Sequence, residues 1–482
     1  MKSIRKNFVW NSILKVSAII FPLIIYPYVS RVIGAEGIGK VSFATSVIAY
    51  FSILAQLGIP TYGIRCCAQV ADEKNELSKR VQEILCISLL TTAIAYVIFG
   101  GAVYLIPRFQ EEKTLLLITS TEMLFNAIGV VWLFSGIENY SYITIRALIF
   151  KVISFALIIS MVKEKKDYLI YGLILVIANV GSNVLNFVYS RKFVEYKPIY
   201  KLNLKRHMKP IFVFFTMSVA TTIYTSLDTI MLGFMAGNVQ VGFYTSATKI
   251  RSVLLGFVNA LSTVLMPRAS FYIQNNQKSE FKAISQKAFD FIWVFASALW
   301  IYFTLFSREC IYVLSGKEFE GAIPAMLWIM PTVLICGISN LTALQVLVPL
   351  GKEKNVLITQ IIGALVDFVL NLILIPIYGA TAAAAATTIA ELIIVGLQLK
   401  IVNKAGVELI AGNTLKKVII ANFFSVMGSS MVKFVSVTAF FRLIISAFVY
   451  YGIYLIILLG MKETTVCEVF NEIFIKIRRK QK

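Results

Sequence analysis

Twelve charged side chains fall inside, or at the ends of, runs that are otherwise apolar. The bases are Lys15, Lys151, Lys249 and Arg251, with Arg31, Arg65, Arg146 and Arg268 nearer the ends; the acids are Glu122, Asp228, Asp367 and Glu391. A charge near the centre of a membrane helix costs about 2.5–3.5 kcal/mol on insertion scales, so each of these is expected to face protein or water. Two chemistries suit them. Lys and Arg replace the hydration of an anion, a phosphate above all. Asp and Glu can take up and release a proton or another cation. An Arg at a run end can also reach water unaided, an explanation that fits Lys151, about nine positions inside its run, less well. Asp367 and Asn371 are four apart and share a helix face, whereas Lys249 and Arg251, two apart, do not.

Other chemistries find no support. His207, the single histidine, stands in a basic stretch and reads as a solvated loop residue. No Ser or Cys nucleophile has a base at a plausible spacing, so no catalytic residues are assigned. The six cysteines lack C-x-x-C spacing and suggest neither a disulfide framework nor a metal site. The stretch Gly34-Ala-Glu-Gly-Ile-Gly39-Lys40-Val41 comes one residue short of a phosphate-binding loop, with Val where a Mg²⁺-binding hydroxyl belongs. It reads instead as a glycine-rich turn in which Gly39 permits close approach. No cofactor is expected.

The elements that must position the charges are membrane helices. Of 482 residues 58% are hydrophobic and 15% charged, against about a quarter charged in a soluble chain. Continuous apolar runs recur near 9–32, 41–63, 81–106, 114–134, 142–162 and 167–190, then 210–236, 247–267, 288–307, 323–349, 356–377, 379–399, 415–436 and 440–461. Each is long enough to cross hydrocarbon about 30 Å thick, and runs without alternation mean helices rather than a barrel. The expected fold is all-α, a polytopic membrane protein of about fourteen transmembrane helices. Pro22 and Pro27 are expected to break the first helix. The net charge of +21 is spread through short segments, as topology signals are, and not gathered as in a nucleic-acid binder. Lys and Arg favour one set of segments by roughly three to one, which puts both termini in the cytoplasm.

An internal echo gives the order. Gly39-Lys-Val-Ser42-Phe-Ala44-Thr45 returns as Gly242-Phe-Tyr-Thr245-Ser-Ala247-Thr248, and Arg65 as Arg268, all at an offset of 203 residues. Six crossings fit between the copies, which is the pattern of a parallel repeat with a site between two lobes. The expected organisation is an N-terminal lobe over 1–190, a basic linker over 191–209, a C-terminal lobe over 210–403, and two further helices with a basic tail over 404–482. The run Ala380-Thr-Ala-Ala-Ala-Ala-Ala-Thr-Thr388 offers a small-residue face for helix contact.

Several stretches together resemble the polysaccharide-transporter branch of the multidrug/oligosaccharidyl-lipid/polysaccharide exporter superfamily, the Wzx-type repeat-unit flippases. They are Asn7 to Asn11 leading into Pro27, Arg31-Val-Ile-Gly34-Ala-Glu-Gly37-Ile-Gly39, Gln56-Leu-Gly58-Ile to Gly63-Ile-Arg65, Trp132-Leu-Phe-Ser-Gly136-Ile-Glu138, and Asn371-Leu-Ile-Leu-Ile-Pro376-Ile-Tyr-Gly379-Ala. The likeness runs along the whole chain and rests on order and spacing rather than on one motif. It implies two six-helix lobes around a central cavity that opens alternately to either side of a bacterial plasma membrane. It implies as substrate an undecaprenyl diphosphate bearing a short oligosaccharide. Arg31, Arg65, Lys151, Lys249 and Arg268 would then line the cavity against the diphosphate, and Asp228, Asp367 and Glu391 would couple an ion or proton gradient. Membrane lipids, a polysaccharide polymerase and a chain-length regulator are the partners in that setting; nucleic acid is not. Rival cargoes on the same fold are a lipid-linked peptidoglycan precursor and cationic drugs. The short segments between runs leave no room for an external catalytic domain, so an enzyme is not expected.

Overall fold

The computed structural model describes residues 4–196, 202–409, 412–468 and 470–471, and all regular structure among them is helical. The middle of the basic linker and most of the basic tail lie outside these residues. Contacts divide the chain into two units, Met1–Gly242 and Phe243–Lys482.

The first unit opens with α1 (Ile4–Gln56), 53 residues long, about 80 Å if straight. That is more than twice the hydrocarbon thickness. Pro22 and Pro27 both sit within the helix, and the break falls instead at Gly34 (φ 69°, ψ −177°), in a region that only glycine adopts without strain. The expected proline breaks are therefore replaced by one glycine break, and α1 supplies two crossings. After α1 come α2 (Ile59–Ala68), α3 (Lys74–Leu105), α4 (Pro107–Glu111), α5 (Lys113–Ile128), α6 (Val131–Gly136) and α7 (Tyr140–Met161). α8 (Tyr168–Val176) and α9 (Asn183–Ser190) are joined through a π-helical segment, Ile177–Gly181, and α10 (Lys205–Met235) completes the unit. α11 (Asn238–Gln274) carries the chain into the second.

The first half of α1 runs alongside α7 in constant register. Thr144 donates to Trp10 O (3.0 Å), Lys151 Nζ to Ser17 Oγ (2.9 Å) and Tyr28 OH to Val162 O (2.8 Å), each pair 134 residues apart. A constant separation means parallel helices, as the expected topology requires of its first and fifth crossings.

Gly39 and Gly242 meet. A Cβ on Gly39 would lie 1.7 Å from Asn238 O, and one on Gly242 would lie 2.0 Å from Ala35 O. Ala35 and Asn238 are themselves 203 residues apart, so the contact is reciprocal: each copy of the echo inserts its glycine against the backbone four residues before the other's. Backbone approach of this kind needs a small residue at the crossing. Arg108 staples the same place, its Nε donating to Gly233 O (2.9 Å) and its guanidinium to Asn238 Oδ1.

The second unit contains α12 (Lys278–Leu305), α13 (Ser307–Leu314), α14 (Ile323–Ile329) and α15 (Thr332–Asn340), the last running into a π-helical segment, Leu341–Leu347. α16 (Glu353–Tyr378), α17 (Ala380–Lys404), α18 (Gly412–Ser430) and α19 (Ala439–Gly460) follow. The alanine run at the start of α17 is buried and packed, with Thr388 donating to Trp328 O (2.6 Å), as its composition suggested. α18 and α19 dock on α12 through Tyr302, Tyr450 and Tyr454, whose rings fill a core and whose hydroxyls find partners. Tyr454 donates to Val294 O and Tyr302 to Leu443 O, both at 2.7 Å.

Among the described residues nine helices are long and apolar enough to cross a membrane, and ten if the pair bent by 42° after Ile329 is one span. Every one of the fourteen expected runs coincides with helical backbone. The count is consistent with fourteen once the two halves of α1 and the interrupted or more polar spans are included.

Candidate functional site

A cavity of about 380 Å³ opens within the first unit. Its apolar wall includes Ile48, Ala49, Ile53, Leu57 and Pro60; its polar wall is Thr45, Ser52, Gln56, Glu122, Asn126, Asn179, Ser218 and Thr222. Thr45, Ser52 and Gln56 stand at i, i+7 and i+11 on α1, and Glu122 and Asn126 at i and i+4 on α5, so each helix turns one polar face to the space. Thr45 spends its hydroxyl on Val41 O (2.9 Å). Asn126 Oδ1 accepts from Asn183 Nδ2 (3.2 Å), and Asn183 Oδ1 from Asn186 Nδ2 (3.3 Å). This chain fixes the Asn126 carboxamide and leaves its N–H groups for the cavity.

Three elements around the cavity lose regular helical geometry beside it. α1 ends at Gln56 and the next residue, Leu57, has φ 45°. α5 ends two residues before Val130, which has φ 38°. Asn179 sits in the middle of the π segment Ile177–Gly181. Leu and Val carry a steric penalty in the left-handed region. In a membrane helix, irregular backbone is tolerated where protein or a polar cavity satisfies it, and π segments are frequent at functional sites.

None of the eight residues singled out from the sequence lines this cavity. Arg31 is exposed, with Nη1 donating to Pro27 O within its own helix. Arg65 is exposed in the last turn of α2. Lys151 is half-buried in the α1–α7 seam on Ser17. Asp228 is buried in α10. In the second unit Lys249 is half-buried and Arg268 exposed, both on α11. Asp367 is buried on α16, accepting from Asn371 Nδ2 (3.3 Å), and Glu391 is buried on α17. The i, i+4 reading of Asp367 and Asn371 is thus realised. Arg251 is satisfied inside the second unit, Nε donating to Thr332 Oγ1 (2.6 Å). Of the cavity's polar wall, sequence reasoning marked Glu122 as an acid at depth but overlooked the carboxamides. The spacing of Ser52 with Gln56 and of Glu122 with Asn126 was the available signal.

His207 is corrected. It is 1% exposed and wedged between Tyr62 and Glu83, the latter 0% exposed. Tyr62 OH lies 2.6 Å from Nδ1 and Glu83 Oε2 lies 2.7 Å from Nε2. A neutral ring satisfies both by accepting from Tyr62 and donating to Glu83. Arg206 Nε also donates to Glu83 (2.8 Å), and Asn203 N to its other oxygen (2.7 Å). Burial pushes the imidazole below its ordinary range, against the pull of the Glu83 carboxylate. The basic stretch is anchored to α2 and α3 because a buried carboxylate there requires partners.

Comparison with known proteins bears on all of this. A family model for polysaccharide biosynthesis proteins matches residues 4–273. A candidate O-antigen transporter of Escherichia coli (strain K12) is 22% identical over 402 residues, 83% of this chain and 97% of that protein. One from Shigella dysenteriae is 25% identical over 409 residues, 83% of this chain and 100% of that protein. Among solved structures, lipid II flippase MurJ in an inward closed conformation superposes with a TM-score of 0.74 at 16% identity, covering 93% of this chain and 98% of that one. An inward-facing multidrug resistance MATE family transporter of the MOP superfamily gives 0.56 at 15%, covering 77% and 93%. At such identities these superpositions establish the fold, a multi-pass helical membrane architecture. Because the family model takes in more than half of the chain, the protein belongs to the polysaccharide biosynthesis protein family, the polysaccharide-transporter branch that its sequence motifs resemble.

Proposed function

We propose that the protein is a flippase that moves undecaprenyl-diphosphate-linked oligosaccharide units from the cytoplasmic to the outer leaflet of a bacterial plasma membrane, for O-antigen, capsule or exopolysaccharide assembly. The observation that carries this reading is family membership together with a flippase fold. In this reading both termini are cytoplasmic, and segments 1–190 and 210–403 form the two lobes of an alternating-access cycle. The linker 191–209 joins them, and 404–482 is an addition.

A diphosphate crosses hydrocarbon only if its hydration is replaced. Arg31, Arg65, Lys151, Lys249 and Arg268 are the cations assigned to that task. Asp228, Asp367 and Glu391, buried acids on α10, α16 and α17, are assigned to coupling with an ion or proton gradient.

The test is the lipid-linked pool of cells depleted of the protein. Oligosaccharide-loaded undecaprenyl diphosphate is expected to accumulate on the cytoplasmic face. Wild type should clear it, and Arg65→Ala or Lys151→Ala, present at normal membrane level, should clear it at least about tenfold more slowly, as loss of a charge-assisted contact predicts. An unchanged pool with reduced drug efflux would mean the right fold and the wrong cargo, and accumulation of a peptidoglycan precursor would name the other rival.

A further inference from the structure

The cavity of the first unit lacks something the proposed substrate demands. Among the described residues no Lys or Arg lines it, and the one ionisable group there, Glu122, is a carboxylic acid. A diphosphate placed there would find no counter-charge. The cavity is also not shaped for an ion. One water needs about 10–15 Å³ of such space, whereas this one has about 380 Å³, within the range of about 300–1,000 Å³ that organic ligands occupy.

Its chemistry fits a different part of the molecule. The carboxamides of Gln56, Asn126 and Asn179 both donate and accept, the Ser52 hydroxyl does the same, and the Glu122 carboxyl accepts from O–H. Neutral groups that donate and accept by turns are what neighbouring sugar hydroxyls pair with. The three interruptions of helix geometry each fall beside one of these carboxamides.

Among the described residues the matching positions of the second unit are mostly apolar. The offset that takes Gly39 to Gly242 takes Glu122 to Ala325, Asn126 to Ile329 and Asn179 to Ala382, all buried, and takes Gln56 to Asn259, whose Oδ1 accepts from Asn340 Nδ2 (2.6 Å). The second unit is interrupted at nearly the matching place, where α14 gives way to α15, and there the buried Thr332 hydroxyl already holds Arg251 Nε (2.6 Å). Glu122, Asn126 and Asn179 are therefore polar groups of the first unit that the repeat does not carry over.

We propose that this cavity is a sugar-recognition subsite, in which Gln56, Glu122, Asn126 and Asn179 bind an uncharged, polyhydroxylated portion of the cargo while the diphosphate is held elsewhere. The proposal rests on the flippase reading above and deepens it. It makes these four residues determinants of which repeat unit is carried.

The experiment compares two probes on the purified full-length protein: undecaprenyl diphosphate bearing the oligosaccharide, and undecaprenyl diphosphate bearing no sugar. Wild type is expected to bind the glycosylated lipid more tightly. Gln56→Ala, Asn126→Ala and the exposed-site variant Asn179→Ala should each weaken binding of that lipid by about fivefold, one hydrogen bond's worth, and leave the sugar-free lipid unchanged. Elution of each variant at the wild-type size-exclusion volume guards against misfolding, and Asn179→Ala is the variant least able to disturb packing. Equal weakening of both lipids would overturn the subsite while leaving the flippase intact. Glu122→Gln that shifts the pH or ion dependence of transport, with sugar discrimination unaltered, would make the cavity a coupling site and overturn the proposal. Failure of wild type to bind either lipid would sink the flippase reading and the subsite with it.

Discussion

The chain interrupts a helix after Ile128 and again after Ile329, positions that differ by nearly the 203 residues separating Gly39 from Gly242. In the first unit the interruption borders a cavity with Glu122 and Asn126 on its wall. In the second, the matching residues Ala325 and Ile329 are each 0% exposed, and beside them Thr332 Oγ1 accepts from Arg251 Nε (2.6 Å). Elsewhere in the second unit Gln398 Oε1 accepts from Thr342 Oγ1 (2.6 Å) and Ser339 Oγ (3.2 Å), and Gln398 Nε2 donates to Thr359 Oγ1 (3.3 Å). The same backbone interruption therefore borders a polar cavity in one unit and buried apolar residues in the other. Side-chain type decides the outcome, because polar groups at such a break are costly to bury unless each finds a hydrogen bond, and apolar ones are not.

Three tests bear on this contrast. The largest effect belongs to the element the two copies share. Gly39→Leu puts a side chain where Asn238 O already stands, and it should abolish folded protein in the membrane; Gly100→Leu, with nothing within 4 Å, should be tolerated. Equal membrane levels of the two variants would remove the reciprocal crossing as a structural requirement. Next is Ile329→Asn, which writes the first unit's residue into the second. It buries a carboxamide in an apolar site and should cost about 2–5 kcal/mol, read as a lowered unfolding temperature in detergent. A neutral result would show that the second unit can open as the first does.

The smallest effect is a pH dependence in the first unit. His207 is held below the ordinary imidazole range by burial, so below about pH 6.5 the unfolded chain binds the extra proton more readily than the folded one. Stability from this site is present above that pH and lost as pH falls. The unfolding temperature of wild type should drop between pH 7 and 5.5 by more than that of His207→Gln. A larger drop in the variant would mean that the Glu83 carboxylate, not burial, governs the ring.

Sequence alone determined the membrane class, the helices, the order of crossings and the glycine of the repeat. Each of these is written locally: an apolar run of sufficient length has no other way to satisfy its backbone in lipid, and Gly39 is marked by being the one residue type that fits. The depth of Lys151 was legible for the same reason, though its partner Ser17 was not. Tertiary structure decided the rest. Gln56, Asn126 and Asn179 converge from three helices separated by more than fifty residues each, and no local pattern ties them together. The interruptions at Leu57 and Val130 fall on residues that carry no turn signal, since packing rather than propensity holds them at positive φ. His207 is buried because Glu83, 124 residues away, needs a partner, and a basic stretch of sequence cannot reveal which of its members has been called inside.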